Sequence, residues 1–301
     1  MPARGRVLVG ISSWTEPTLI KRGNFYPRGT NSAEERLKFY ASQFPIVEVD
    51  SSYYFPPSER NAALWAERTP KDFTFNVKAY SLLTNHPTKV ESLYKDVKKA
   101  LPEDLAGKRN VYREKMPPEL VDEVWQRFRD ALMPLHSAGK LGCVLFQFPQ
   151  WFVIGRRSKE YILECKERLS DFHVAVEFRH KTWMQGSNQE ETLSFLEEHH
   201  LPFVCVDMPQ RFDSSIPPVA AATSKELAVV RFHGRNRHAW EQKTETAAER
   251  FRYDYPQKEL ADWVPKIAEL AKGARETHVV MNNCYENYAV KNARQLADLL
   301  E

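Results

Sequence analysis

Short β-branched runs recur along the chain, apolar for most of their length and polar only where they end. The clearest is His173 to His180, HVAVEFRH, which closes in opposite charges instead of a turn. In a strand, alternate side chains share a face, so His173, Ala175, Glu177 and Arg179 point one way while Val174, Val176, Phe178 and His180 point the other. A parallel strand buried under helices is apolar on both sides, so charges confined to its end mark the opening of a site.

The same pattern appears at Val7 to Ser12, Ile46 to Asp50, Phe73 to Lys78, Leu141 to Phe148, Phe203 to Asp207, Ala228 to His233 and His278 to Asn283. Polar residues at these ends are Ser12; Glu48 and Asp50; Asn76 and Lys78; Gln147; Asp207; Arg231 and His233; Asn282 and Asn283. Eight such strands separated by helical or loop segments predict a TIM (β/α)8 barrel, a fold whose catalytic groups sit at the C-terminal strand ends. A doubly wound sheet shares the alternation but usually has fewer strands and gathers its ligand at a switch point.

Between the strands, Ser32 and Glu35 form a capping box for a first helix bearing Leu37, Phe39, Tyr40 and Phe44. Ser58 caps a second through Leu64 and Trp65. Apolar spacing predicts helices over Glu119 to Ser137, Glu160 to Leu169, Glu190 to His199, Gln257 to Ala271 and Asn287 to Leu300. The segment after strand six, MPQRFDSSIPPVAAATSKE, has three prolines and little periodicity, so the sixth helix is expected to be degraded or missing. The longest interruption, Tyr80 to Pro118, reads as a lid or rim insertion within a single domain of 301 residues.

Composition narrows the class. The chain is 42% hydrophobic and 28% charged, with no apolar run long enough for a bilayer, as expected of a globular protein with no membrane partner. Its first residues, MPARGRVLVGISS, run directly into strand one and make an unconvincing signal peptide. Cys143, Cys165, Cys205 and Cys284 show no metal-ligand spacing, which predicts reduced thiols and a cytoplasmic setting. A net charge of +3 announces no nucleic-acid partner, although a local basic site is compatible with it. Oligomeric state is not legible.

The motifs VGISSW, NFYP, VEVDSSYYFPP, FTFNVKA, LGCVLFQFP, AVEFRHKTW, VVRFHGR and NNCYENYAVKNARQL, in this order, resemble the DUF72 family, also called YecE-like, from about Val7 to Leu300. That resemblance implies a TIM barrel of undetermined biochemical activity. The chain departs from the family pattern in the SSWTEP loop after strand one and in the length of the insertion around Lys89 to Lys115, which suggests a subgroup with its own lid.

The candidate chemistry lies at the strand ends. Glu177 is the expected general acid or base, tuned by Arg179, and Arg179 and Arg231 are the expected anion clamp; a purely structural ion pair is the alternative. His233, Lys78, Glu48 and Asn282 would orient the substrate or share the acid/base work. Lys78 has a Schiff-base alternative and, more simply, an ion pair with Glu48. Ser12, Tyr53, Tyr54, Gln147, Asp207, Asn283 and Trp183 are expected to line the cavity, although Asn282 or Asn283 would equally cap the last helix. No organic cofactor is expected, since P-loop and G-x-G-x-x-G motifs are missing. A divalent metal on Glu48, Glu177, Asp207 and His233 is a weaker alternative, opposed by the interleaved Lys78, Arg179 and Arg231.

The resulting expectation is a hydrolase or isomerase acting on a small anionic, phosphorylated or sugar-like molecule. Two other classes stay open. One is a nucleic-acid-binding or processing protein using Lys98, Lys99, Lys108, Arg109, Arg113 and Lys115 with Tyr94 and Tyr112, and the loop from Arg235 to Arg252. A solvated helical face with pairs such as Glu91 with Lys95 explains the first stretch more simply. The other is a non-catalytic metabolite-binding barrel.

Overall fold

The structure is a computed structural model and describes residues 5–242 and 247–301. The first residues, which make an unconvincing signal peptide, and the basic loop after strand seven fall partly on residues 1–4 and 243–246, which lie outside the described residues.

The eight expected strands are β1 Arg6–Ser12, β2 Ile46–Val49, β3 Thr74–Lys78, β4 Leu141–Gln147, β5 Val174–Glu177, β6 Val204–Asp207, β7 Leu227–Phe232 and β8 Glu276–Met281. All are parallel, in the order β5, β4, β3, β2, β1, β8, β7, β6. The two outer strands meet through one bridge, Val176 to Phe203, and a hydrogen bond from Val176 N to Pro202 O of 2.9 Å, so the sheet is a nearly closed TIM-like barrel. The β-branched runs drive this arrangement, because parallel strands buried on both faces need a continuous apolar sequence. Gly10 is required where β1 passes β2, since a Cβ there would lie 2.1 Å from Ile46 O.

Local signals place the helices. Ser32 Oγ accepts from Glu35 N while Glu35 reaches back to Ser32 N, completing the expected capping box ahead of α1, Ala33–Ala41. Ser58 Oγ accepts from Asn61 N at the start of α2, Glu59–Glu67. The remaining long helices are α3 Pro118–Ser137, α4 Arg156–Arg168, α5 Asn188–Glu198, α6 Val264–Gly273 and α7 Tyr288–Leu300. The helix expected over Gln257 to Ala271 is broken. A short turn, Gln257–Ala261, precedes α6, because Pro265 sits in the first turn of α6 and has no N–H to continue an earlier helix. No helix occurs between β6 and β7, as the prolines predicted.

Residues 80–118 carry buried side chains of their own and are tied to α4. Their buried side chains include Leu82, Leu83, Val90, Val97, Leu101 and Leu105, and Thr88–Lys89 pairs antiparallel with Asn110–Val111. Tyr80 Oη donates to Ser92 O at 2.9 Å, and Tyr161 Oη, from α4, donates to Leu83 O at 2.7 Å. The expected Glu91 pair with Lys95 forms instead with Lys98, one helical turn further on. All four cysteines are free thiols. Among the described residues no helix is long and apolar enough to cross a membrane.

Because Leu83 is fully buried, Leu83→Ala should destabilise the whole chain by about 2–5 kcal/mol in a single urea transition. An early, separate transition of the 80–118 segment, or rapid tryptic cleavage at Lys98 and Lys108 under native conditions, would show that the segment is an independent lid.

Candidate functional site

The register fixes which side chains enter the barrel. Ser12 stands beside Glu48, and Glu48 beside Asn76. Gln147 faces Glu177 across the β4–β5 ladder. On β7 it is Arg231 that pairs with Val206, so Asp207, the next residue of β6, belongs to the outward phase with Phe232. The inward row therefore carries Ser12, Glu48, Lys78, Gln147, Glu177, Arg231, His233 and Asn282 to the C-terminal end.

Arg231 is the centre of this row and is fully buried. Its Nη1 donates to Glu177 Oε2 at 2.5 Å, and its Nη2 donates to Glu48 Oε1. Ser12 Oγ donates to the same Glu48 oxygen at 2.6 Å. Glu177 Oε1 accepts from Gln147 Nε2 at 2.6 Å and Arg179 Nε at 2.7 Å, and lies 3.1 Å from His233 Nε2. With Asn282 Nδ2 donating to His233 Nδ1 at 2.8 Å, the consistent tautomer has His233 Nε2–H donating to Glu177. Four donors thus surround the buried Glu177 carboxylate, three at Oε1 and one at Oε2.

Electrostatics agrees with this reading. Burial pushes the Glu177 carboxyl up, but Arg231 and Arg179 outweigh it and hold the group ionised, well below the usual carboxylate range. Burial, together with Arg179, pushes His233 down to about 3, so it is neutral despite its contact with Glu177. Burial lowers Arg179, while the two partner carboxylates outweigh burial at Arg231 and raise it.

Above this layer a cavity of about 290 Å³ opens between the loops after β1, β2, β7 and β8, lined among others by Ser12, Glu16, Asp50, Tyr54, Asn282 and Cys284. Asp50 Oδ1 accepts from Lys78 Nζ at 3.0 Å, and the ammonium lies 4.7 Å from the centre of the Tyr53 ring. Burial raises the Asp50 carboxyl, yet Lys78 and Arg231 bring it below its ordinary value, so it is ionised. Tyr54, Tyr53, His86 and Trp151 make successive edge-on contacts with ring centres 5.1, 5.2 and 5.8 Å apart, forming an aromatic wall. Burial, with Lys78 and Arg179 nearby, pushes His86 down to about 3. Arg179 lies over Trp240, and Arg250 is close enough to act on both Arg179 and Tyr54.

Several expected site residues stand elsewhere. Arg231 exposes no surface and its Nη groups are committed to two carboxylates, so it is not placed to clamp an incoming anion. Asp207 points away from the barrel axis and accepts from Tyr255 Oη, Trp263 Nε1 and Arg235 at 2.7 to 2.8 Å. Asn283, also in the outward phase, donates to Tyr253 O and Asn292 Oδ1, which ties the last loop to α7; Asn287, and neither Asn282 nor Asn283, occupies the cap position. Trp183 is core: its ring stacks on Phe178 at 4.1 Å and its indole N–H donates to Phe152 O at 2.6 Å. Lys78 pairs with Asp50 and not with Glu48.

The four side chains of the metal alternative do not converge. Arg231 separates Glu48 from Glu177 and Asp207 faces outward; among the described residues no group of three or more His, Cys, Asp or Glu has metal-site geometry. Asp50, His86 and Trp151 were missed as site residues. Asp50 was legible, since it directly follows β2 on the face of Glu48, but His86 reaches the mouth only through the fold of the insertion. Trp14, Phe25 and Tyr26 of the first loop pack into the core.

Removing Arg231 leaves two buried carboxylates without a counter-charge, so Arg231→Met should cost about 3–5 kcal/mol in urea denaturation. A loss under about 1 kcal/mol would show that Glu48 and Glu177 are not both ionised in the fold. Because the folded pKa of His233 is depressed, the unfolded chain takes up the proton first. Stability is then fully present above about pH 6.5 and falls by about 1.4 kcal/mol per pH unit for this group as pH drops towards its folded value. Urea midpoints from pH 7.5 to 5 should fall more steeply for the wild type than for His233→Asn; equal slopes would mean a protonated imidazole in the folded state.

Comparison with known proteins gives one consistent answer. Residues 8–301 match the family described as "Protein of unknown function DUF72". The chain is 33% identical over 300 residues to the UPF0759 protein YunF of Bacillus subtilis (strain 168), covering 98% of this chain and 95% of that one. Among solved structures, a DUF72 family protein from Thermotoga maritima MSB8 superposes with a TM-score of 0.76 at 31% identity, covering 98% of this chain and 99% of the other. Another from Enterococcus faecalis V583 gives 0.76 at 25% identity over 98% of both chains. A barrel of this register, matched along nearly its whole length, makes the chain a member of the DUF72 family.

Proposed function

We propose that the protein binds a small, hydroxylated anion of the sugar-acid or sugar-phosphate type at the C-terminal mouth of the barrel, and hydrolyses or isomerises it. The observation that carries this reading is the Lys78–Asp50 pair, 3.0 Å apart at the edge of the cavity, with Asp50 ionised and partly exposed. Such a pair supplies a proton acceptor and a proton donor side by side. Glu177, fully buried and engaged at both oxygens, takes the positioning role: it grips Arg179 through Nε, and with Nη2 lying 3.3 Å from His233 Nε2, Nη1 is the part of that guanidinium with no hydrogen bond among the described residues and open to a ligand.

The surrounding groups suit the same ligand. Asp50 and Glu16 offer carboxylate oxygens to hydroxyl groups, while Arg179, Arg250 and Asn282 offer donors to an anionic group. Tyr53 and Tyr54 supply apolar ring faces beside them. A cavity of about 290 Å³ is at the small end of ligand sites.

Calorimetric titration with sugar phosphates and sugar acids should find a ligand whose affinity drops about 10- to 100-fold in Arg179→Met, the loss of a charge-assisted hydrogen bond. For whichever ligand is turned over, Asp50→Asn should keep binding but lower the rate about 10²- to 10⁴-fold. Binding confined to oligonucleotides, falling steeply with salt, would replace this reading with a nucleic-acid one.

A further inference from the structure

A second and larger cavity, of about 640 Å³, lies outside the barrel mouth between the 80–118 insertion and the start of α4. Its volume is within the range of small-molecule sites. Its floor is a stacked cation. The Arg113 guanidinium lies 4.0 Å from the centre of the Tyr161 ring, and its Nε donates to Asn85 Oδ1 at 2.9 Å. Tyr161 is itself fixed by its hydrogen bond to Leu83 O. Among the described residues, no hydrogen bond or ion pair engages the two Nη groups of Arg113.

The charges around this floor are unequal. Lys115 and Arg157 line the same cavity and make no ion pair among the described residues. The acidic lining is largely committed, with Glu160 on Arg156 and Glu164 on Arg168, each at 2.7 Å, which leaves Glu114. Three uncommitted cations therefore face one uncommitted carboxylate. Two large rings on the same walls stay open to solvent, Tyr112 at 49% and Trp151 at 58%. A guanidinium held over an aromatic ring and tied at Nε presents its remaining donors as a fork, the geometry that recognises phosphate. Exposed rings beside it stack on a planar partner.

From this combination we infer that the groove between the insertion and α4 is a binding site for a nucleoside phosphate, its phosphate on Arg113, Lys115 and Arg157 and its base on Tyr112 or Trp151. The site does not rest on the reading of the barrel mouth, and it gives the insertion a task of its own.

Calorimetric titration of the full chain, and of the chain carrying Arg179→Met so that the barrel mouth does not contribute, with AMP, adenosine and ribose 5-phosphate tests it. AMP should bind, with each fragment at least about 10-fold weaker, since a charge-assisted phosphate contact and a stacked base each contribute at least that much. Arg113→Met keeps the apolar stem over Tyr161 and should lose at least about 10-fold in AMP affinity, while a thermal melt confirms folding. Tyr112→Leu together with Trp151→Leu should lose the preference for AMP over ribose 5-phosphate. Arg179→Met at the barrel mouth should leave AMP binding unchanged. The inference is overturned if AMP fails to bind at millimolar concentration, if only oligonucleotides bind, or if AMP affinity follows Arg179 and ignores Arg113.

Discussion

A guanidinium between two carboxylates, none of them reachable by solvent, is the constraint on which this barrel depends. Each charge alone would be prohibitively expensive to bury, and together they are stable only while all three are present and their hydrogen bonds are made. Arg231 thereby sets the ionisation of Glu177, and Glu177 sets the positions of Gln147, Arg179 and His233. Glu48 does the same for Ser12. The polar C-terminal layer is therefore a single network, and its chemistry divides into an inner, fully buried part and an outer part that meets the cavity.

That division changes what the strand-end charges mean. The inner residues hold geometry and potential; the outer ones, Asp50, Lys78, Arg179 and Asn282, retain solvent contact or line the cavity. A strongly perturbed carboxylate is often read as catalytic, but perturbation arises equally in ion-pair networks that only position other groups. Glu177 belongs to the second kind because it is fully buried and both of its oxygens are held by neighbouring side chains.

Much of the architecture was legible because parallel strands buried on both faces need uninterrupted β-branched runs, and polar residues gathered at the same end of successive runs mark the C-terminal end of the barrel. The failures have two physical origins. Asp207 and Asn283 were misplaced by a single step of strand parity, which reverses the face of every side chain and which sequence alone does not fix at a strand end. Trp183 and His86 depend on tertiary packing: one is captured by the Phe178 and Phe152 rings, the other is delivered by an insertion whose course no periodicity reveals.

The seam between β5 and β6 is the one place where the barrel's main-chain ladder shrinks to a single bridge. Glu177 stands on one side of that seam and its partner Arg231 on β7, beyond the other. The side-chain pair acts as a tie rod across the one seam that the backbone leaves nearly unlaced. Roundness in this barrel is thus partly an electrostatic property, and neutralising one carboxylate would slacken a wall as well as a site.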